Sequence, residues 1–511
     1  MPDKAKKNPV EERLMLLADH WIAFRENPAK RLLVWQAEAN ALRFFQCFFE
    51  VQKHETDYTV GDMFVVFDTP FENVIQYSRD LKTALKGQYD ASRDDLIQQG
   101  ITPDWHFSPE NYPDSVSGFI RSLQSFGSRH HERIGHLVAV FMPSEVSDDE
   151  GFTTWLNCAM QTRPPERLRF AVMDPLDASR LASLNGTAKN LIQIDRPKID
   201  ALSTAQETFA QESATGPAGV FRNLLIGLMT LVEKGTAKQV KIKAADALQF
   251  ARKEKWVDQE VVIGMLVAGA MLKEKRFDEA VKGYQFARQK AQQATADAHP
   301  AGRQLALQTW FGEAGAHLAA GDLPKAVQCY DEAATLAPQI PNPILGIEAF
   351  RMAAFCLGRM DEPEPAIRKG LQALNLGQRL KPEARAMTTL PVAAIDMLRL
   401  MELKRVQAME HIKYQHNTAV DTSRKKATQQ ALELEQNKDP QALHAVEANL
   451  EEEISHAKQA ACRDIDTLAA TGDNHFQQVF TKARELLGSQ WPMETLNAVA
   501  QNDQTTGDMA S

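Results

Sequence analysis

The sequence predicts an N-terminal α/β domain, a mostly parallel sheet with helices on both faces, followed by an all-α array of helix pairs and a C-terminal helical extension. Three observations carry this. Short runs rich in Val, Ile, Leu and Phe alternate with helical stretches over residues 31–200, which is the pattern of βαβ units. No strand pattern follows Val220. Between the two regions, residues 201–219 turn to Ala, Ser, Thr, Gln and Gly, and form the predicted linker, centred on 213–219.

The elements follow in order. Residues 1–30 hold one helix, over 11–25, with Leu14, Leu17, Ala18 and Trp21 along one side. Strands are predicted at 32–35, 63–67, 136–141, 168–173 and 191–194, most of them bounded by Asp, Pro or Gly. Helices are predicted between them at 37–53, 73–98, 115–130, 150–162 and 178–187. Residues 220–400 read as helix pairs and 401–497 as long helices. In the latter, Leu443, Val446, Leu450, Ile454, Ala457, Ala461, Ile465 and Leu468 form one stripe. Its spacing gives an almost straight helix face. Such a stripe packs on its own neighbour or supports self-association. Residues 498–511 are polar and small, a predicted disordered tail.

Composition narrows the function classes. A net charge of -9 argues against nucleic-acid binding, which wants a basic face. No run of apolar residues is long enough for membrane insertion. The five cysteines form no CxxC pair and read as reduced thiols, so a cytoplasmic location is expected.

Within 220–400, Trp310, Gly321, Ala326, Tyr330, Ala333 and Pro338 fall at a recognisable spacing. Small residues let two antiparallel helices approach, Gly321 opens the turn between them, and Pro338 stops the second helix. This segment resembles a tetratricopeptide repeat (TPR). Phe277, Ala280, Tyr284 and Ala287 match its second helix, and Ala353, Ala354, Leu357, Ala366 and Ala373 match a further unit. Ala280, Ala326 and Ala366 lie farther apart than the standard period of about 34 residues, so helices or connections are longer here, as over 291–302. A looser unit falls around 221–252. The resemblance implies a protein-binding groove lined by first helices, with Met265, Gly269, Leu272, Phe311, Gly315, Leu318, Arg351 and Phe355 facing it. Lys273, Arg351 and Arg359 would edge a largely apolar groove, which suits an amphipathic or apolar partner segment. The expected partner-binding residues are Phe311, Leu318, Arg351 and Phe355, together with Trp105 and Phe107 of the 102–114 loop.

The N-terminal order of strands and helices looks like the core of a P-loop NTPase of the kind found ahead of helical repeats in signalling proteins. A phosphate loop needs glycines whose N–H groups wrap the phosphates and a lysine that neutralises them. Residues 35–42 contain no Gly, Lys, Ser or Thr, and Glu38 would repel phosphate. The strand at 136–141 ends in Phe141-Met142-Pro143, and its first acid is Glu145. Asp68, Asp174 and Asp195 repeat a strand-then-Asp punctuation that reads as turn chemistry. His130, His131, Glu132 and His136 read as a helix-end cluster, not as a metal site. In 102–114, Trp105 and Phe107 sit among prolines, either presented as a contact surface or tucked beneath the loop.

The expectation is therefore a protein without catalytic, cofactor-binding or metal residues: an adaptor, scaffold or chaperone that binds another protein, for example an accessory factor for a secreted bacterial toxin or effector. The alternatives are a nucleotide-regulated signalling protein and a hydrolase using Asp68 or Glu145 at the sheet's carboxyl edge.

Overall fold

Leu32–Ala37 (β1) has no polar face, because Leu, Val, Trp and Ala occupy both sides of the strand. Such a strand is stable only with cover above and below. In the computed structural model it lies inside a sheet with Met63–Phe67 (β2), Leu137–Phe141 (β3), Leu168–Pro175 (β4) and Ile192–Asp195 (β5). The strand order is β2-β3-β4-β1-β5, and every pairing is parallel. The structure describes residues 8–54, 56, 58–98, 100, 102–181, 184, 189–211, 216–337, 343–437 and 440–496.

Helices cover both faces. Pro9–Arg25 (α1) and Leu42–Val51 (α2) bury Trp21, Phe24, Phe45 and Phe48 against Leu33, Trp35, Val138 and Ala171. Val74–Ala91 (α3) is followed by the short Arg93–Gln98 (α4). With Val116–Arg129 (α5) and Asp149–Gln161 (α6), α3 packs Tyr77, Leu81, Phe119 and Trp155 on Phe67, Phe141 and Phe170. Local chemistry sets where these helices begin. The Asn8 side chain accepts from Val10 N–H, and Glu11 reaches back to the Asn8 N–H. Asn73, Ser115 and Asp148 cap α3, α5 and α6.

Two expectations change here. Residues 201–211 are not linker but a helix, Ala201–Gln211 (α7), tied to α1 by Arg13–Glu207 at 2.8 Å. The predicted helix at 178–187 gives way to a 3-10 turn at Leu176–Ala178. Residues 182–183 and 185–188 of that stretch lie outside the described residues, as do 213–215 of the linker.

The helix pairs are Pro217–Lys234 (α8) with Ala237–Lys253 (α9), and Val257–Lys273 (α10) with Phe277–Ala296 (α11). Gly302–Ala319 (α12) with Leu323–Leu336 (α13) and Ile344–Arg359 (α14) with Pro363–Gly377 (α15) complete the array. Ala280, Ala287, Ala326, Ala333, Ala366 and Ala373 are all fully buried, so small residues do mark the helix contacts. The long spacing has its cause in α11, which runs on to Ala296. Pro338 lies outside the described residues.

Five of these helices close in one way. After α9, α10, α11, α12 and α14, a residue with positive φ follows: Lys255, Lys275, Ala298, Gly321 and Asp361. The next N–H then reaches back across the last turn, as in Trp256 to Ala251 O at 2.9 Å and Asp322 to His317 O at 2.9 Å. This is the Schellman closure, which satisfies carbonyls that the helix end leaves free.

Beyond Pro382–Arg385 (α16), the long Leu390–Asn437 (α17) breaks at Glu402, where φ is -141 and ψ is 74. Pro440–Ala470 (α18) and Asn474–Leu487 (α19) follow. The chain forms two compact units, residues 1–211 with 418–457, and 212–417 with 458–511. The expected separate segment at 401–497 is therefore divided between them. The reason lies in the stripe: Leu443 joins the core of the first unit, while Ala461 and Ile465 join a core of the second. Leu443, Leu450, Ala461 and Ile465 are buried by their own chain, while Val446, Ile454, Ala457 and Leu468 are half-buried. Residues 498–511 lie outside the described residues.

Candidate functional site

In a parallel sheet, ligands favour the carboxyl ends of strands where the order reverses. Here that place adjoins β1 and β4, and a polar network fills it. The fully buried Asp174 of β4 lies in register with Gln36 of β1. Its Oδ2 accepts from Gln36 Nε2 at 2.9 Å and Ser179 Oγ at 2.7 Å, and its Oδ1 from the Arg180 N–H at 2.8 Å. Arg196 Nε donates to Gln36 Oε1 at 2.9 Å. β1 passes through Glu38 into a 3-10 turn at Ala39–Ala41 and then α2, so no long loop stands there. Asp68 and Glu145 are both exposed. The loops that carry them are joined by a bridge between Phe71 and Val146.

His130, His131 and His136 serve separate purposes. His130 packs on Phe126 with ring centres 4.7 Å apart, and burial lowers its pKa below the ordinary histidine value. His131 Nδ1 meets Ser128 O at 2.8 Å, and His136 Nδ1 meets Asp62 Oδ1 at 3.0 Å.

The helical array offers a different kind of site. A cavity of about 310 Å³ lies between α14, α15 and the first part of α17. Phe355 and Leu403 are its exposed apolar groups, at 42% and 54%. Met397 and Leu400 form the floor, seated against Gly370 and Gly358. A Cβ at Gly370 would stand 2.2 Å from Met397 Sδ, so the residue at that position must be glycine for this packing. Of the charged rim, Arg351 is held bidentately by Glu348, at 2.6 and 2.8 Å. Arg399 binds Asp396 and Glu410. Arg359 lies over the Phe355 ring, 6.0 Å from its centre, and makes no ion pair with a described residue.

The structure thus brings together Arg351 and Phe355 of the expected partner-binding set. Phe311 and Leu318 lie elsewhere. Both are half-buried in the cluster around Ala326 and Tyr330, with the Phe311 and Tyr330 rings 5.7 Å apart. Trp105 and Phe107 are also corrected: both are buried, stacked at 4.6 Å, with Trp105 edge-on to Tyr89 and Phe126. They form part of the first unit's core because the loop folds back on α3 and α5. Met397, Leu400 and Leu403 escaped the sequence reading, since the repeat spacing places groove residues on α14 and says nothing of α17, which comes later in the chain. Their signal is the apolar stretch from Leu390 to Leu403, interrupted only by Asp396, Arg399 and Glu402 among charged residues.

Glu313, His317 and Cys329 form a buried cluster, with ligand-type atoms within 4.8 Å of one another. Other groups already hold it. Arg288 donates to Glu313, and so does Gln285 Nε2 at 3.0 Å. The same guanidinium lies over Trp310 at 3.7 Å. Burial pushes the Cys329 thiol up to about 11 and lowers the pKa of His317. A cation entering here would compete with Arg288 for Glu313 and meet a protonated thiol.

No protein-family model and no curated protein matches the chain. Among solved structures it is similar to RapI in its apo form, with 10% identity and a TM-score of 0.28, over 88% of this chain and 97% of that one. It is also similar to a Signal Transduction ATPase with Numerous Domains with a tetratricopeptide repeat sensor, from Pyrococcus horikoshii. There the identity is 11% and the TM-score 0.23, over 94% of this chain and 85% of that one. Likeness at this level lends neither protein's role to this chain.

Proposed function

We propose that the protein is a non-enzymatic adaptor or chaperone that captures a partner protein in the groove between α14, α15 and α17. The observation that carries this reading is the pair Phe355 and Leu403, large apolar groups left exposed on a concave surface. Covering the half of each side chain that is exposed is worth about 1 kcal/mol. The occupant is an apolar or amphipathic segment whose acidic residue meets Arg359. One concrete form of this role is an accessory factor that holds a bacterial toxin or effector before secretion.

The test is affinity purification of the full chain from its own cell, beside a Phe355→Glu/Leu403→Glu double variant. Both positions are exposed, so the variant keeps the helical circular-dichroism signal. The partner that co-elutes with wild type is expected to be lost. Identical co-eluting proteins from both forms would remove the groove from consideration. Phe311→Glu is unsuitable for this purpose, because it places a charge against Tyr330 inside the array.

A further inference from the structure

A second surface lies in the first unit, along the sheet edge. β2 ends the strand order. In parallel pairing, successive residues point their backbone groups alternately to the two neighbours. Met63 N–H donates to His136 O at 2.9 Å, and Phe67 O accepts from Met142 N at 2.8 Å. Met63, Val65 and Phe67 therefore face β3, while Phe64 and Val66 face outwards. Gln88 of α3 donates to the outward Val66 carbonyl at 2.8 Å. Among the described residues, Phe64 N–H, Phe64 C=O and Val66 N–H have no partner. An edge of this kind is a template for another strand.

The surroundings say what kind of strand. A cavity of about 550 Å³ runs along this edge, with Phe49 on one side and Leu85, Tyr89, Leu96 and Ile134 on the other. Side chains alternate across a strand, so both walls ask for apolar groups. Among the described residues the rim is basic: Arg133 makes no ion pair there, and Lys53 pairs with the exposed Glu50. The described carboxylate that lines the cavity, Asp62, is already taken by Trp21, Arg25 and His136.

We propose that the β2 edge binds an extended, apolar segment of a partner protein as an added strand, with an acidic residue of that segment against Arg133. This site is independent of the α14–α17 groove.

The probe is a phage-displayed library of short random peptides, panned on the full chain. Enriched sequences are expected to alternate apolar residues and to carry Asp or Glu. A synthetic copy should bind wild type and lose at least about tenfold in affinity, about 1.4 kcal/mol, with Val66→Pro or Arg133→Glu. Proline removes the outward N–H of Val66, a position where an edge strand tolerates it, at the cost of some packing of the half-buried Val66 side chain. A peptide N-methylated at alternate amides should also lose binding, and that arm requires no change in the protein. Phe355→Glu should leave the affinity unchanged. No enrichment over a protein-free control would overturn the proposal, as would equal binding of the N-methylated peptide. So would a helical spacing in peptides that ignore Val66→Pro, or a dimer of the full chain that Val66→Pro abolishes.

Discussion

Asp62 is one carboxylate with four polar contacts to three residues. Its Oδ2 accepts from Trp21 Nε1 at 2.8 Å and Arg25 Nη1 at 3.3 Å, and its Oδ1 accepts from the His136 N–H at 3.0 Å and faces His136 Nδ1. It thereby ties α1 to the entrances of β2 and β3. Gly135 leaves room for it, since a Cβ there would stand 2.9 Å from Oδ1. Burial pushes the Asp62 carboxyl up, but the bonds from His136 and Trp21 and the charge of Arg25 outweigh it, and its pKa lies below the ordinary value. A lowered folded-state pKa adds stability above the unfolded value, about 4, and that stability drains away as pH falls through the folded value. Asp62→Asn should cost about 3 kcal/mol at neutral pH. In urea unfolding, its deficit against wild type should shrink as the pH drops into the acid range. A deficit independent of pH would show that the charge is not what matters. None of this was legible in the sequence, where Asp62 stands in a Gly-Asp turn and its partners Trp21 and His136 are remote. Trp21 itself was legible as core, because its helix carries a regular apolar face.

At the scale of the element, the repeated helix closure separates what spacing reveals from what packing imposes. Gly321 was legible as a turn residue because glycine takes positive φ without cost. Lys255, Lys275, Ala298 and Asp361 adopt the same conformation with side chains that disfavour it. No residue type announced those turns; the docking of successive helices imposes them. Lys275→Gly should therefore stabilise the protein by about 1 kcal/mol, seen as a higher urea midpoint at unchanged slope. No gain would mean that the Lys273–Glu274–Lys275 turn is held by contacts that the lysine side chain makes. The groove repeats the lesson. Phe355 was legible from the spacing of α14, whereas Leu400 and Leu403 come from a helix start so evenly apolar that its sequence does not say which residues are core and which line the groove.

For the whole molecule, all five strands and the change to helices were legible, but the strand order was not. Hydrophobic runs locate strands without saying which are neighbours, so Asp174 read as a turn residue although it pairs with Gln36 at the carboxyl ends of two central strands. The division into units was hidden for the same reason. Ala431 and Leu443 belong to the first unit's core, and Glu447 binds Arg79. Residues 1–211 alone should therefore melt lower and bind more of a hydrophobic dye than the same fragment mixed with a 418–457 peptide; equal melting would show the hairpin to be dispensable. The arrangement also fixes an order in time. At ordinary rates of synthesis, the ribosome spends on the order of tens of seconds between completing α7 and supplying Leu443. Throughout that interval the nascent sheet carries an unfinished apolar flank, and this protein depends on whatever shelters emerging chains more than a domain made in one continuous stretch would.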